Sequence, residues 1–207
     1  MGEICQRRGI LVIADEIHQD FVLAPGKRHT PFASLGPAFA EGSITCLSAS
    51  KTFNLAGLQC ANSVIPNRRL REEFTRQVAR NQMTYVNLLG MVATEAAYRF
   101  GEPWLDALLP CIAENQRVFA QAINGLPLGL RVLPMDAMYL AWIDCRSLAL
   151  PPAALEDLLL TKCRVWLDKG PKFGADGHGF MRANLGCPRS TVLEAVERLR
   201  RGLTSVQ

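Results

Sequence analysis

The sequence predicts an α/β protein: part of a mostly parallel sheet with its helices, followed by a small α+β unit. Three observations carry this prediction. Two continuous apolar runs, Ile10-Leu11-Val12-Ile13-Ala14 and Ser43-Ile44-Thr45-Cys46-Leu47, have the texture of strands covered on both faces, the usual state of strands in a parallel sheet. From Arg68 the apolar residues fall at helical spacing. From about residue 130 short strand-like and helix-like pieces alternate.

Residues 3–8 read as the end of a helix that Gly9 stops, since glycine accepts the left-handed backbone a helix end requires. Ile10 to Ala14 then reads as a central parallel strand, running into Asp15-Glu16. A loop punctuated by Pro25, Gly26, Pro31, Gly36 and Pro37 leads to the second run, 43–47. Cys60 to Ile65 reads as a third strand, closed by Pro66-Asn67. Arg68 to Arg80 and Leu88 to Phe100 read as amphipathic helices. Pro103 suits the first turn of a long helix reaching about Ile123, and Gly125 to Gly129 breaks the chain again. Strands are expected at 130–133 and 138–143, a helix at 153–163, a short strand at Val165-Trp166-Leu167, a strand from Phe180 to Leu185, and a closing helix from Arg189 to Leu203.

The expected domains are 1–102, part of a larger domain; 103–129, a connecting helix and linker; and 130–207, a small C-terminal α+β domain. A helix tail that passes at once into a buried-type strand has the texture of the middle of a domain, because a parallel sheet needs further strands joined by crossovers.

The chain has 207 residues, 49% of them hydrophobic and 20% charged, a globular balance. The net charge is +4, and the cluster Arg198, Arg200 and Arg201 reads as the solvated face of a last helix, too sparse for a nucleic-acid footprint. No apolar run approaches the ~18 residues of a membrane span, and Met1 to Arg8 lacks the apolar core of a signal peptide. Seven widely spaced cysteines with no CxxC pair read as reduced, mostly buried thiols of a cytoplasmic protein, without disulfides or a metal site.

Two strand ends carry the chemistry. Ser48-Ala49-Ser50-Lys51-Thr52-Phe53-Asn54 follows the second run, at the place where open α/β sheets put their ligands. A lysine there can form a Schiff base with an aldehyde, and the neighbouring hydroxyls can hold phosphate oxygens. The GxxxxGK order of a phosphate-binding loop is absent. From those residues alone, a solvated loop lysine is an equal alternative. Asp15 ends the first run, with His18 three residues later. A carboxylate at a strand end can hold a protonated pyridine nitrogen, or it can serve as a helix cap. A lone histidine is more often structural than catalytic.

Taken together, Asp15-Glu16-Ile17-His18 and Ser48-Ala49-Ser50-Lys51-Thr52-Phe53-Asn54 resemble the pyridoxal-phosphate-dependent class I/II aminotransferase family, of fold type I. Gly101-Glu102-Pro103-Trp104-Leu105-Asp106, Met138-Tyr139-Leu140-Ala141-Trp142 and Phe180-Met181-Arg182-Ala183-Asn184-Leu185-Gly186-Cys187-Pro188-Arg189 extend the resemblance over the whole chain in order. The likeness is greatest to the carbon–sulfur β-lyase, cystathionine β-lyase-like branch.

That resemblance implies the cofactor pyridoxal 5'-phosphate, bound by the large domain to which residues 1–102 would belong. It implies that Lys51 is the catalytic lysine bonded to the cofactor, that Asp15 pairs with the ring nitrogen, and that His18 contacts the ring hydroxyl where relatives often carry tyrosine. Ser48 and Ser50 would contact the phosphate, and Arg182 would grip the substrate α-carboxylate, a bidentate task that suits a guanidinium. Gln59 stands where many members have a phosphate-anchoring arginine, a change frequent in the β-lyase branch.

The chain matches only the C-terminal half of such an enzyme. The other half would supply the glycine-containing phosphate loop, the aromatic and the asparagine that contact the ring, and much of the surface of a homodimer. The implied activity is release of a thiol, pyruvate and ammonia from cystathionine or a related S-substituted L-cysteine. An aminotransferase is the near alternative. A non-catalytic fragment or interaction module is the alternative of another class, and half a sheet is expected to expose an edge and apolar surface. The expected partner is a small amino acid, with no nucleic acid and no membrane.

Overall fold

The computed structural model describes residues 1–204, so the last three residues of the expected C-terminal domain lie outside the described residues. The chain divides into two compact units. The first comprises residues 1–22 and 26–106, the second residues 23–25 and 107 onward.

In the first unit, helix α1 (Gly2–Arg7) ends before Gly9, which takes φ +61° and turns the chain into strand β1 (Val12–Asp15). After a loop and the short helix α2 (Pro37–Glu41), strand β2 (Ser43–Leu47) pairs with β1 in parallel, Val12 opposite Ser43 and Asp15 opposite Cys46. Helix α3 (Ala49–Thr52) follows, and then strand β3 (Asn62–Val64), antiparallel to β2. The order β1-β2-β3 makes β2 central, and its Ser43, Ile44 and Thr45 are buried.

The sheet of this unit has one parallel and one antiparallel pair. One expectation is corrected here. Strand β1 is an edge strand, not a strand buried on both faces: Ile13 is 68% exposed, and Ile10 and Leu11 are about half exposed. Its one neighbour covers one side only.

Helix α4 (Arg68–Arg80) is capped by Asn67, whose side chain accepts from the Leu70 amide at 2.9 Å. Arg71 of α4 donates to the Ile65 and Pro66 carbonyls at 2.6 and 3.0 Å, which ties the helix to the exit of β3. Helix α5 (Leu88–Phe100) is capped in the same way by Asn87. It approaches the chain after α3 at Gly90, where a Cβ would lie 2.7 Å from the Leu58 carbonyl oxygen. The apolar core of this unit is small: Phe21, Ile44, Ala49 and Ile65. Met83, Tyr85, Leu88, Leu89, Val92 and Phe100 are exposed, Tyr85 at 94%. The expectation of exposed apolar surface is thus met.

Helix α6 (Glu102–Asn124) carries the division between the units, between Asp106 and Ala107. Pro103 sits in its first turn, where a missing N–H costs nothing. The second unit is built on an antiparallel sheet in the order β4 (Arg131–Val132), β5 (Leu140–Asp144), β7 (Phe180–Asn184), β6 (Asp168–Lys169). Ala141 and Ile143 of β5 and Met181 and Ala183 of β7 face a closed core. Phe119 and Ile123 of α6, Leu155 of helix α7 (Pro152–Asp157), and Val192 and Leu199 of helix α8 (Arg189–Thr204) complete it.

The helix expected at 153–163 is α7 followed by a turn of π-helix, Leu158–Lys162, which Cys163 closes by donating to the Leu158 carbonyl. The strand expected at Val165-Trp166-Leu167 is not formed. The Val165 amide bonds back to the Leu159 carbonyl at 2.9 Å, so this segment finishes the helical turn, and Trp166 is left 85% exposed. The edge strand starts three residues later, at Asp168–Lys169.

All seven cysteines are free thiols, but only Cys145 and Cys163 are buried, and Cys111 is exposed, so the expectation of mostly buried thiols is corrected. Burial pushes the Cys145 thiol up to about 12. Among the described residues no helix is long and apolar enough to cross a membrane.

The two units differ in how their apolar residues are covered, and this has a measurable consequence. Phe119 is 1% exposed in a closed core, so Phe119→Ala is expected to cost about 3–5 kcal/mol. Urea unfolding followed by the near-ultraviolet signal of Trp142 checks this. A cost under about 1 kcal/mol would contradict the described core.

Candidate active site

Parallel pairing brings the C-terminal ends of β1 and β2 side by side. Asp15 is the last residue of β1, and the next amide, Glu16, donates to the Cys46 carbonyl at 3.0 Å. The two adjacent acids diverge because successive strand residues point to opposite faces. Glu16 is buried, accepts from the Phe32 amide at 2.8 Å, and meets His29 Nε2 at 2.9 Å. It therefore anchors the loop. Asp15 is exposed, and its Oδ1 accepts from the Ile17 amide at 3.3 Å.

At the end of β2, Ser48 is buried. Its hydroxyl donates its one proton to the Cys60 carbonyl at 2.6 Å and accepts from the Ser50 amide at 3.0 Å, the geometry of a helix N-cap. The Ser50 hydroxyl lies 2.5 Å from the Ser48 oxygen. With the Ser48 proton committed to Cys60, the Ser50 hydroxyl is the donor in this contact, and its one proton reaches an anion only by leaving Ser48. The two serines are hydrogen-bonded to each other, and Ser48 also caps α3.

Lys51 is exposed on α3. A four-residue helix does not stand alone, and this one is held from both ends. Ser48 caps its start. At its other end Thr52, 1% exposed, donates to the Asp20 carboxylate at 2.6 Å. Phe53 then packs edge-on to Tyr98, with ring centroids 6.3 Å apart, and lies 5.7 Å from Trp104. The close fit extends to Gly101, where a Cβ would fall 2.4 Å from the Phe53 ring.

His18 lies in the turn between β1 and Asp20, half-buried, with its ring 6.2 Å from that of Phe21. Burial holds its pKa below the ordinary 6.5, the Lys51 charge lowers it further, and the Asp15 charge opposes both. Its imidazole is accordingly neutral near pH 7. Asp15 and Lys51 thus act on His18 with opposite signs, from the segments that follow the C-terminal ends of β1 and β2.

Arg182 belongs to the second unit, on β7. It is not an exposed strand arginine. Its Nη2 and Nε donate to Asp168 Oδ2 at 2.6 and 3.2 Å, and its Cζ stands 4.4 Å from the centroid of the Phe173 ring. Gln59, in the place of the phosphate-anchoring arginine, is exposed, with left-handed backbone at φ +51°.

Sequence reasoning missed the residues that hold the motif in place. Thr52 and Asp20 are 32 positions apart, and no periodicity links them. Glu16 was readable in principle, since strand alternation sends one of two adjacent acids inward. Asp168 fell beside a strand expected three residues too early.

The electrostatics of these residues can be tested directly. Because the folded pKa of His18 lies below its unfolded value, the unfolded chain takes up the proton first as pH falls through 6.5, and this histidine then opposes folding. Lys51→Ala is expected to raise the His18 pKa toward 6.5, and Asp15→Asn to lower it further. Imidazole proton shifts against pH report both changes. An unchanged midpoint in both variants would show that the three side chains do not share a site.

The comparisons with known proteins agree with this geometry. The sequence profile described as aminotransferase class I and II matches residues 1–199. Cystathionine beta-lyase PatB of Bacillus subtilis (strain 168) is 40% identical over 204 residues, covering 99% of this chain and 52% of that protein. Protein MalY of Escherichia coli (strain K12) is 34% identical, covering 100% and 52%. The crystal structure of cystalysin from Treponema denticola, which contains a pyridoxal 5'-phosphate cofactor, superposes with a TM-score of 0.93 at 33% identity, over 100% of this chain and 52% of that one. The chain spans about half the length of the curated relatives it matches. A profile match over nearly all its length, joined to a lysine and a carboxylate at neighbouring parallel strand ends, makes this chain a member of the class I and II aminotransferase family.

Proposed function

We propose that this chain carries the lysine-bearing half of the site of a pyridoxal-phosphate-dependent carbon–sulfur β-lyase. The reaction cleaves the Cβ–S bond of cystathionine, or of a related S-substituted L-cysteine, and with water yields a thiol, pyruvate and ammonia. The observation that supports this reading is the parallel register that sets Asp15 beside Cys46, so that the segments carrying His18 and Lys51 leave neighbouring strand ends. The 40% identity to cystathionine beta-lyase PatB favours the lyase over an aminotransferase.

The residues fit the cofactor's chemistry. It has an aldehyde, a basic ring nitrogen, a ring hydroxyl and a phosphate, and these segments offer an exposed primary amine, an exposed carboxylate, a neutral imidazole and a hydroxyl. When bound, the cofactor supplies an electron sink for the carbanion at Cα. Lys51 Nζ would hold the cofactor's aldehyde carbon and, as a free amine, would take the proton from the substrate Cα. The Asp15 carboxylate holds the proton on the ring nitrogen. His18 donates an imidazole N–H to the ring oxygen. Ser50 would donate to the phosphate by turning its one proton away from the Ser48 oxygen. Arg182 binds the substrate α-carboxylate and so orients the Cα–H bond. In the same reading the full-length enzyme is a homodimer that acts in the cytoplasm on a small amino acid.

The test uses a polypeptide that joins this chain to the half its relatives share. Incubation with L-cystathionine in the absence of any keto acid is expected to release pyruvate and thiol in equal amounts. Lys51→Ala is expected to lower the rate by about 10²–10⁴-fold or more. Turnover that appears only when a keto acid is added would make the protein an aminotransferase. Full activity in Lys51→Ala would end the assignment.

A further inference from the structure

The outer face of the second sheet carries an ordered set of side chains around Arg182. Asp168 is its cross-strand partner in the antiparallel pair β6–β7. Both Arg182 donors, Nη2 and Nε, reach the same Asp168 oxygen, Oδ2, while Asp168 Oδ1 accepts from Lys172 Nζ at 2.9 Å. The carboxylate is therefore held on both sides, and these donors, Lys172 first, keep it below the usual carboxylate range. The guanidinium plane is covered by Phe173, whose ring meets Trp142 edge-on at 5.6 Å, and Trp142 in turn stacks on Phe180 at 5.6 Å.

The turn that brings Phe173 there depends on two glycines. A Cβ at Gly170 would lie 2.0 Å from the Gly177 carbonyl oxygen, and one at Gly177 would lie 2.1 Å from the Gly170 carbonyl oxygen. The backbone thus closes on itself around residues 171–176, with Phe173 at the apex side facing Arg182.

This arrangement uses one edge of the guanidinium and leaves the other. Nε and the near side of Nη2 are bonded to Asp168, and Nη1 makes no protein hydrogen bond among the described residues. A planar fork bonded along one edge and set over an aromatic ring is restrained from rotating, and its remaining edge matches a carboxylate with two parallel N–H···O bonds. We propose that Asp168 and Phe173 are positioning residues: they hold Arg182 by its Nε edge and by its plane, so that the Nη1–Nη2 edge is presented to the carboxylate of the ligand. This rests on the reading of Arg182 as the carboxylate-binding residue. Asp168 is then not a competitor for the arginine. The ligand adds to the pair and does not displace it.

Arginine side-chain nitrogen resonances of the 207-residue chain, titrated with acetate as probe, test the proposal. In the unaltered chain acetate is expected to shift the Arg182 Nη signals saturably and to leave Nε–Hε in place. In Asp168→Ala acetate is expected to shift Nε–Hε as well, and Asp168→Glu is expected to restore the original pattern. Phe173→Ala, which leaves Asp168 in place, is expected to speed rotation about the Arg182 Nε–Cζ bond without freeing Nε–Hε. It keeps the proposal testable if Asp168→Ala fails to fold. If acetate shifts Nε–Hε of the unaltered chain as strongly as Nη, the ligand displaces Asp168 and the proposal is overturned. The same holds if Asp168→Ala and the unaltered chain respond identically. No Arg182 response in any variant would instead overturn the carboxylate-binding reading of Arg182, and the positioning role with it.

Discussion

The pairing of Val12–Asp15 with Ser43–Cys46 is the constraint on which the candidate site depends. A parallel ladder with this register puts two strand ends at the same level, and each end hands the chain to a short polar segment. Strand alternation makes the register a strict condition. A slip of one residue would turn Asp15 inward and Glu16 outward, burying the wrong acid. The Glu16 carboxylate, fixed by the Phe32 amide and His29, works against that slip, because leaving those groups unpaired in a part-buried setting is costly. The buried acid thereby keeps the exposed one in place.

From that register the lysine follows in three steps. Ser48 closes β2 against the Cys60 carbonyl and starts α3. Thr52 ends α3 against Asp20, in the same turn region as His18. Phe53 then enters the aromatic group with Tyr98 and Trp104. A helix of four residues gains almost nothing from its own hydrogen bonds, so its position is set by these attachments. In the second unit the logic is similar on a different scaffold: a cross-strand pair and an aromatic ring orient one arginine.

Much of this was legible in the sequence. Helices α4 and α5 fall at the expected residues because their caps, Asn67 and Asn87, and their apolar spacing agree. The site motif was legible because Lys51 and Asp15 each follow an apolar run. The errors have local causes. The Ile10–Ala14 run reads as doubly buried by composition, but coverage depends on what lies against it, and here β1 has one neighbour. Val165-Trp166-Leu167 has strand-forming residues, yet a single backbone bond to Leu159 spends it on a helix end. Asp168 and Phe173 carry no periodic signal, and their relation to Arg182 exists only once β6 and β7 are paired. The shallow core of the first unit beside the closed core of the second is likewise a property of packing, which no window of sequence records.

The central claim is that Lys51 is placed for an aldehyde cofactor, and trapping tests it most directly. The 207-residue chain is titrated with pyridoxal phosphate, reduced with borohydride, and mapped by peptide mass. Lys51 is one of five lysines in the sequence, with Lys27, Lys162, Lys169 and Lys172 as internal controls. The account predicts a saturable adduct concentrated on Lys51 and reduced in Asp15→Asn. Adducts spread over all five lysines in proportion to exposure would contradict it.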